Sequence, residues 1–195
     1  SHQMARSALA SALLVALTGC TQPVQRTDAT AAAPGREHIV LDGDPFKHLV
    51  VRQGNWSGTG PVHVYLEGDG LPWVTRTSIA RDPTPRTALA LRLMALDPGP
   101  AIYLGRPCYH GLAESPGCSP WLWTHGRYGE AVVRSMSAAL RHALGSNRDR
   151  EITLIGYSGG GVLAMLIAPR VEQVRVVLTV TANLDTAAWA ASQGY

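Results

Sequence analysis

Six short runs of apolar and β-branched residues recur along the chain, separated by turn residues or by longer segments. Such runs, bounded by Gly, Pro, Asn or Asp, are typical of β-strands. The predicted strands are residues 38–41, 46–52, Val62–Leu66, Ala101–Leu104, 152–155 and 174–181. Because Asp-Gly lies at the centre of the connection 42–45, the first two strands are predicted to form an antiparallel hairpin at one edge of the sheet. The strand Val62–Leu66 is apolar enough to be central.

Between these runs, apolar residues recur three or four positions apart, as on one face of a helix. The predicted helices are residues 87–96, with a proline-rich start at 81–85, residues 127–144, residues 162–168 and residues 187–192. Gly145 ends the second of these helices, and Pro169 breaks the third. Successive strand, helix and strand segments form units whose strands are parallel. The pattern therefore predicts an α/β fold with a mostly parallel sheet.

The strand at 152–155 runs into Gly156-Tyr157-Ser158-Gly159-Gly160, which matches the pattern G-x-S-x-G. This is the pattern of the nucleophile elbow, a sharp strand-to-helix turn that exposes a serine hydroxyl. Side chains at positions 156 and 160 would make the strand and the helix collide, and Ser158 must adopt a backbone conformation that L-residues avoid. The alternative is a glycine-rich turn that binds a phosphate or only packs. No Gly-Lys-Ser/Thr follows, which excludes a P-loop.

A second glycine-rich turn, Glu67-Gly68-Asp69-Gly70, follows the strand Val62–Leu66. The two motifs Y-L-E-G-D-G and G-Y-S-G-G-G together resemble the α/β-hydrolase family, and more narrowly envelope lipoprotein hydrolases of bacteria, over residues 62–185. The resemblance implies an α/β-hydrolase-type sheet with helices on both faces, a nucleophile at Ser158, and oxyanion-hole N–H groups from Asp69 and Gly159. The alternative for Asp69 is a plain β-turn in which it bonds within its own loop.

The acid and the base of the implied triad are harder to assign. In this fold the order along the chain is serine, acid, histidine, whereas all seven histidines here precede Ser158. We therefore expect the sheet to be incomplete after its sixth strand, the catalytic histidine to lie beyond residue 195, and the 195-residue chain by itself to be inactive. Asp185 is a candidate acid, with capping of the next helix as its alternative role. His110 and His125 are candidate bases only if the usual chain order does not hold.

The N-terminal segment has the features of an export signal: a basic residue, a short apolar run, and then Leu17-Thr18-Gly19-Cys20. The apolar run is too short for a stop-transfer helix. The last four residues resemble the lipobox of bacterial lipoproteins, which implies cleavage before Cys20 and a diacylglyceryl group on its sulfur. An ordinary secretory signal is the alternative. We predict a signal peptide at 1–19, with 1–3 either a cloning remnant or a misread upstream start, a flexible tether at 20–35 and one domain at 36–195.

The segment 105–127 shows no periodicity, yet it contains two cysteines, two histidines and three aromatic residues. Long irregular loops in compact domains are usually functional. Because Cys20 is assigned to the lipid and exported proteins enter an oxidising compartment, Cys108 and Cys118 are predicted to form a disulfide. The alternative is a metal site, although the spacing matches no common zinc pattern. Its ligands would be Cys108, His110, Cys118 and His125.

Composition adds few constraints. The chain is 46% hydrophobic and 16% charged, with a net charge of +3 and a pI near 9.0. Since the basic residues form no run, we expect no nucleic-acid partner, and we expect no cofactor.

The implied activity is that of a serine hydrolase that forms an acyl-enzyme at Ser158 with an ester, thioester or other acyl substrate. The alternatives are an acyltransferase of the same fold and a non-catalytic envelope lipoprotein. Trp121 and Trp123 are interpreted as packing residues, or as walls of an acyl pocket. The predicted location is the bacterial cell envelope, facing the periplasm or the exterior, with attachment to the membrane through the lipid on Cys20.

Overall fold

The structure is a computed structural model that describes residues 34–182 and residue 184. The predicted signal peptide, Cys20, Asp185 and the helix at 187–192 lie outside these residues. The strands of the described part are β1 Glu37–Asp42, β2 Lys47–Gln53, β3 Val62–Leu66, β4 Ala101–Leu104, β5 Ile152–Tyr157 and β6 Val174–Val180. Its α-helices are α1 Leu89–Met94, α2 Glu130–Leu144 and α3 Gly159–Ile167. Two short segments, Pro120–Trp123 and Ala168–Arg170, are 3-10 helical.

The six strands form one sheet in the order β1, β2, β4, β3, β5, β6. Strands β4, β3, β5 and β6 are parallel, whereas β1 pairs antiparallel with β2 and β2 pairs antiparallel with β4, with Val50 opposite Leu104. The predicted hairpin at the edge, the central position of β3 and the mostly parallel sheet are all confirmed. The carboxyl ends of β3, β4, β5 and β6 consequently meet at one edge.

Helices cover both faces of the sheet, as the sequence predicts. Neighbouring residues along β3 point to opposite faces: Val64 packs in the cluster that includes α2 and α3, and Tyr65 packs in the cluster that includes α1. Val64 is completely buried, and so are its neighbours Ile102 on β4 and Leu154 on β5. Burial on both faces explains why β4 is apolar at every position rather than at alternate positions. Within the described residues, no helix has the length and apolar character needed to cross a membrane.

The prediction for the first helix is wrong in extent. Residues 81–86 are not helical, and α1 comprises only the six residues Leu89–Met94. Two prolines explain the difference, because the residue before a proline is disfavoured in the α conformation and Pro83 and Pro85 follow one another at a spacing of two. The hydroxyl of Thr84 instead accepts a hydrogen bond from the backbone N–H of His110, at 2.6 Å.

The other helices differ from prediction mainly at their starts. Helix α2 begins at Glu130 rather than at 127, and α3 begins at Gly159 rather than at 162. The segment 105–127, predicted to be irregular, contains the short 3-10 turn Pro120–Trp123. Apolar periodicity locates the middle of a helix, whereas its ends depend on backbone conformation at residues such as Gly129 and Ser158, which precede α2 and α3 here.

A buried histidine joins α2 to the sheet. His48 on β2 is fully buried; its Nδ1 lies 2.9 Å from the carbonyl oxygen of Gly105, and its Nε2 lies 2.8 Å from Oγ of Ser135. Nδ1 therefore carries the proton, and Nε2 accepts from the serine hydroxyl. Burial lowers the pKa of His48 to about 4, against the raising effect of the bond to Gly105. His48 is thus a neutral, hydrogen-bonded core residue rather than a base.

Candidate active site

Ser158 lies at the tip of a sharp turn between β5 and α3. Its backbone has φ 51° and ψ −123°, in the left-handed half of conformational space that non-glycine residues rarely occupy. The turn is held by two hydrogen bonds, from the Ser158 N–H to the Val180 carbonyl at 2.8 Å and from the Gly161 N–H to the Ser158 carbonyl at 2.9 Å. Strain of this kind persists where surrounding structure imposes it, and it is concentrated at functional sites. This is the backbone geometry that the G-x-S-x-G pattern predicts, and the turn is called the elbow below.

The glycines on either side of Ser158 are required by close backbone contacts. A Cβ atom on Gly156 would overlap the carbonyl oxygen of Gly160, and one on Gly160 would overlap the carbonyl oxygen of Leu66. Both contacts involve backbone atoms, which cannot move aside as a flexible side chain would. The predicted collision between strand and helix is therefore confirmed, and β5, α3 and the end of β3 are in direct contact at this point.

The turn 67–70 lies beside the elbow because β3 and β5 are neighbours in register, with Leu66 opposite Gly156. A Cβ atom on Gly68 would lie 3.4 Å from the Cβ of Ser158. The buried Glu67 side chain fixes the start of this turn by accepting hydrogen bonds from the N–H groups of Gly68, at 3.1 Å, and Ala90, at 3.0 Å. Burial raises the pKa of Glu67, although these bonds and the nearby Arg106 oppose the rise.

The carboxylate of Asp69 is the centre of a charged cluster. It pairs with the Arg106 guanidinium at 2.7 Å and with Nε of Arg127 at 3.1 Å, and its two oxygens accept from the Tyr128 hydroxyl at 2.7 and 2.8 Å. Arg106 is almost completely buried, with 2% of its side chain exposed. The hydroxyl of Tyr109 donates to the Asp69 carbonyl at 2.8 Å. The cluster thus ties the turn 67–70 to the loop that follows β4 and to the start of α2.

This carboxylate also packs directly on the elbow. A Cβ atom on Gly159 would overlap Oδ1 of Asp69 and would lie 2.5 Å from the Tyr128 hydroxyl, so a side chain at position 159 would displace these two groups from their present contacts. Gly159 is the first residue of α3, and the first N–H groups of a helix have no acceptor within it. A negative charge near a helix N-terminus is favourable. The side chain of Asp69 forms hydrogen bonds with residues of other loops. In the alternative stated from the sequence, a plain β-turn, it would bond within its own loop.

The sequence did not single out Arg106, Arg127 and Tyr128. They lie in or next to the segment 105–127, which has no periodicity to indicate which side chains point inwards. One signal was present: Gly105-Arg106 directly follows β4, all of whose residues are buried, and the carboxyl ends of parallel strands meet at the edge that carries Ser158. A charged residue at that position was therefore a candidate for the site.

The segment 105–127 is closed by a disulfide. Cys108 and Cys118 are bonded, with their Cα atoms 5.6 Å apart, so these two sulfurs are not available as metal ligands. Cys108, Tyr109 and Trp123 form a small buried cluster beneath the loop. Trp123 is a packing residue, 2% exposed, whereas Trp121 is 61% exposed. In the part of the chain that the structure describes, no group of three or more His, Cys, Asp or Glu residues is arranged to hold a metal ion.

The two candidate bases weighed from the sequence have aromatic partners. Nε2 of His110 lies 3.0 Å from the Tyr103 hydroxyl, and its ring packs edge-on against Tyr103. The ring of His125 lies between those of Trp73 and Trp121, with centroids 6.2 and 5.4 Å away. None of these contacts involves Ser158. A third histidine, His63, forms a 2.6 Å pair with Asp97 at the amino-terminal edge of the sheet, opposite to the elbow.

Comparisons with known proteins identify the fold. No family model matches the chain, and no curated protein sequence matches it. Among solved structures, it resembles a proline iminopeptidase-related protein of Thermus thermophilus, with a TM-score of 0.52 and 19% identity over 75% of this chain. It also resembles an α/β-hydrolase candidate of unknown function from Agrobacterium tumefaciens, with a TM-score of 0.53 and 14% identity over 77% of this chain. The aligned region spans 45% and 62% of those two chains. The architecture is thus the α/β-hydrolase fold.

Proposed function

We propose that this α/β-hydrolase-fold protein is a serine hydrolase that forms an acyl-enzyme at Ser158. The observation that carries the proposal is the strained backbone of Ser158, φ 51°, at a strand-to-helix turn beside the turn 67–70. A non-glycine residue in this conformation has a cost of about 1–3 kcal/mol, which a turn with a purely structural role would avoid with glycine. The substrate class is an ester, a thioester or another activated acyl group.

In the proposed reaction, Oγ of Ser158 attacks the substrate carbonyl carbon while a base accepts the hydroxyl proton. The carbonyl oxygen becomes an oxyanion, and the N–H groups of Gly159 and Asp69 are proposed to bind it. The leaving group then departs with a proton, and water attacks the acyl-enzyme to release the acid. In the usual chain order the acid and the histidine follow the serine, so Asp185 and a histidine beyond residue 195 remain the proposed partners.

The charges around Asp69 suit this reaction. A lone carboxylate next to a developing oxyanion would oppose it, because like charges repel strongly where water is excluded. Here two guanidinium groups, of Arg106 and Arg127, and the Tyr128 hydroxyl surround the one carboxylate. These groups neutralise the Asp69 carboxylate beside the elbow, and the Tyr109 hydroxyl holds the Asp69 peptide in place through its bond to the Asp69 carbonyl.

The acyl-enzyme proposal is tested with a fluorophosphonate, which phosphonylates activated serines. In protein that includes the histidine proposed to follow residue 195, we expect the added mass, after labelling and trypsin digestion, on the peptide 151–170, whereas the 195-residue chain alone should label weakly or not at all. Ser158 is the only serine in that peptide, so the assignment is unambiguous. Label on another peptide, or none on any serine while esters are hydrolysed, would contradict the proposal. Adding an alcohol acceptor during turnover compares hydrolysis with acyl transfer, because a transferase gives mainly the new ester at low alcohol concentration, whereas a hydrolase gives mainly the free acid.

We also propose that the protein is anchored in the bacterial envelope by a diacylglyceryl group on Cys20, with the tether 20–35 between the lipid and the domain. The support is the motif Leu17-Thr18-Gly19-Cys20 after an apolar run. Each acyl chain buries several methylene groups in the bilayer, so an anchor with two acyl chains attaches the protein stably to the membrane. Mass spectrometry of the mature protein is expected to find Cys20 as the acylated N-terminal residue. Cleavage at another position, or an unmodified Cys20, is the result that excludes the anchor.

A further inference from the structure

A short hairpin-like loop extends from the turn 67–70. Residues 71–80 fold back on themselves through an isolated bridge between Trp73 and Ile79 and through hydrogen bonds from the Val74 N–H to the Ser78 carbonyl, at 2.7 Å, and from the Ala80 N–H to the Pro72 carbonyl, at 2.9 Å. Its base is held by the indole N–H of Trp123, which donates to the Ala80 carbonyl at 3.1 Å. The loop thus has a defined shape, anchored on the disulfide-closed segment.

The end of this loop presents apolar side chains to solvent. Val74 is 71% exposed, and Leu71 and Ile79 are also exposed. Trp121 joins them, because His125 contacts both its ring and that of Trp73. We call this surface the apolar rim; its residues are Leu71, Trp73, Val74, Ile79 and Trp121. A contiguous exposed apolar surface of this kind marks an interaction site, whereas single exposed apolar residues need no explanation.

Basic residues flank the apolar rim. The stretch 71–86 contains three arginines, Arg76, Arg81 and Arg86, and one acidic residue, Asp82. All three arginines are exposed, and Arg76 lies in the turn next to Val74. Arg81 lies 3.9 Å from Glu114, and both side chains are almost fully solvated, so this pair neutralises the surface only weakly. Apolar and tryptophan side chains bordered by arginines are complementary to a lipid surface with acidic head groups.

The apolar rim adjoins the candidate active site at two places. Leu71 follows Gly70 in the turn whose Asp69 carboxylate packs on Gly159. On the other side, His125 is three residues before Tyr128, which donates to the same carboxylate. A lipid surface that contacts the rim would therefore lie at the mouth of the site that contains Ser158.

We propose that the apolar rim docks on the surface of an anionic lipid bilayer, with Val74 and Trp121 entering the head-group region and the arginines contacting acidic head groups. The docking itself depends only on these residues. If the proposed function also holds, docking delivers lipid-borne acyl esters to Ser158, which makes membrane lipids the substrate class.

The experiment uses the full chain with Cys20→Ala, which prevents acylation, and Ser158→Ala, which removes turnover. Binding is measured by co-sedimentation with vesicles of phosphatidylcholine alone and of phosphatidylcholine with phosphatidylglycerol. We expect preferential binding to the acidic vesicles, weakened by salt. Val74→Asp should lower the affinity by about tenfold or more, since burial of one aliphatic side chain is lost. Arg76→Glu should lower it by about fivefold or more.

The matched control is Leu96→Asp. Leu96 is 81% exposed, but it follows α1 at the amino-terminal edge of the sheet, away from the elbow. The Leu96→Asp variant should bind vesicles with the same affinity as the parent.

As a second measurement, brominated lipids should quench tryptophan fluorescence in the parent, and less so in Trp121→Phe. Equal losses in Val74→Asp and Leu96→Asp would overturn the proposal. So would vesicle binding that is unaffected by Val74→Asp, or no binding to either vesicle, which would assign the rim to a protein partner.

Discussion

Replacement of Ser158 by alanine is expected to reduce ester hydrolysis by about 10⁴-fold or more, because the acyl-enzyme cannot form without the hydroxyl. The measurement is the initial rate on p-nitrophenyl esters of increasing chain length, with parent and variant at equal concentration and both including the histidine proposed to follow residue 195. Alanine removes one oxygen and keeps the backbone compatible with the contacts of the turn. Thermal unfolding of the variant should therefore match that of the parent or rise slightly, since catalytic geometry often has a cost in stability.

Ser57→Ala is the control for this substitution. Ser57 is an exposed serine in the loop between β2 and β3, where its hydroxyl donates to Asn55. Its removal should leave both the rate and the fluorophosphonate labelling unchanged. If Ser158→Ala retains the parental rate while Ser57→Ala behaves as expected, the elbow is structural, and the hydrolase proposal fails for this residue.

Replacement of Asp69 by asparagine is expected to lower the free energy of unfolding by about 3 kcal/mol, because it leaves the guanidinium of Arg106 buried without its carboxylate. Asparagine has nearly the same shape, so lost packing contributes little. Urea unfolding followed by circular dichroism measures the effect. The same variant should also lose most ester turnover, since the turn 67–70 would no longer be fixed relative to Gly159.

Two further variants test why Asp69→Asn is expected to be less stable than the parent. Asp42→Asn removes a carboxylate from an exposed pair with Lys47, 3.4 Å apart, and should change stability by less than about 1 kcal/mol. The double variant Asp69→Asn with Arg106→Met should recover part of the stability, because the unpaired buried charge is gone. A double variant less stable than Asp69→Asn would show that Arg106 acts through packing rather than through its charge.

The sequence predicts the local features of the fold better than it predicts the contacts between residues far apart in the chain. All six strands can be predicted because each contains a compact apolar run. The need for glycine at positions 156 and 160 can also be predicted, because it depends on the contacts of a single turn. The predicted extent of α1 is wrong, because helical composition alone does not account for the effect of Pro83 and Pro85. In that case the local conformational restriction before each proline decided the outcome.

The candidate site was predictable only in part, for a physical reason. Ser158 is identified by its own five-residue turn, whereas the partners of Asp69 are 37, 58 and 59 residues away along the chain, at Arg106, Arg127 and Tyr128. No periodicity relates these positions, and only the parallel register of β3, β4 and β5 brings them together. The disulfide could be predicted because the number of cysteines and the inferred compartment leave one pairing.

The position of β4 between β2 and β3 has a consequence for the order in which the chain folds. The pairing of β1 with β2 is local in the sequence and can form early, but β2 also pairs with β4, which is about fifty residues further along the chain, as in the pairing of Val50 with Leu104. Closing so long a segment has an entropic cost that later contacts must offset, and topologies of this kind fold slowly. During synthesis, the second edge of the hairpin therefore remains unpaired until Ala101–Leu104 has emerged, and an unpaired strand edge of this kind is open to pairing with another chain.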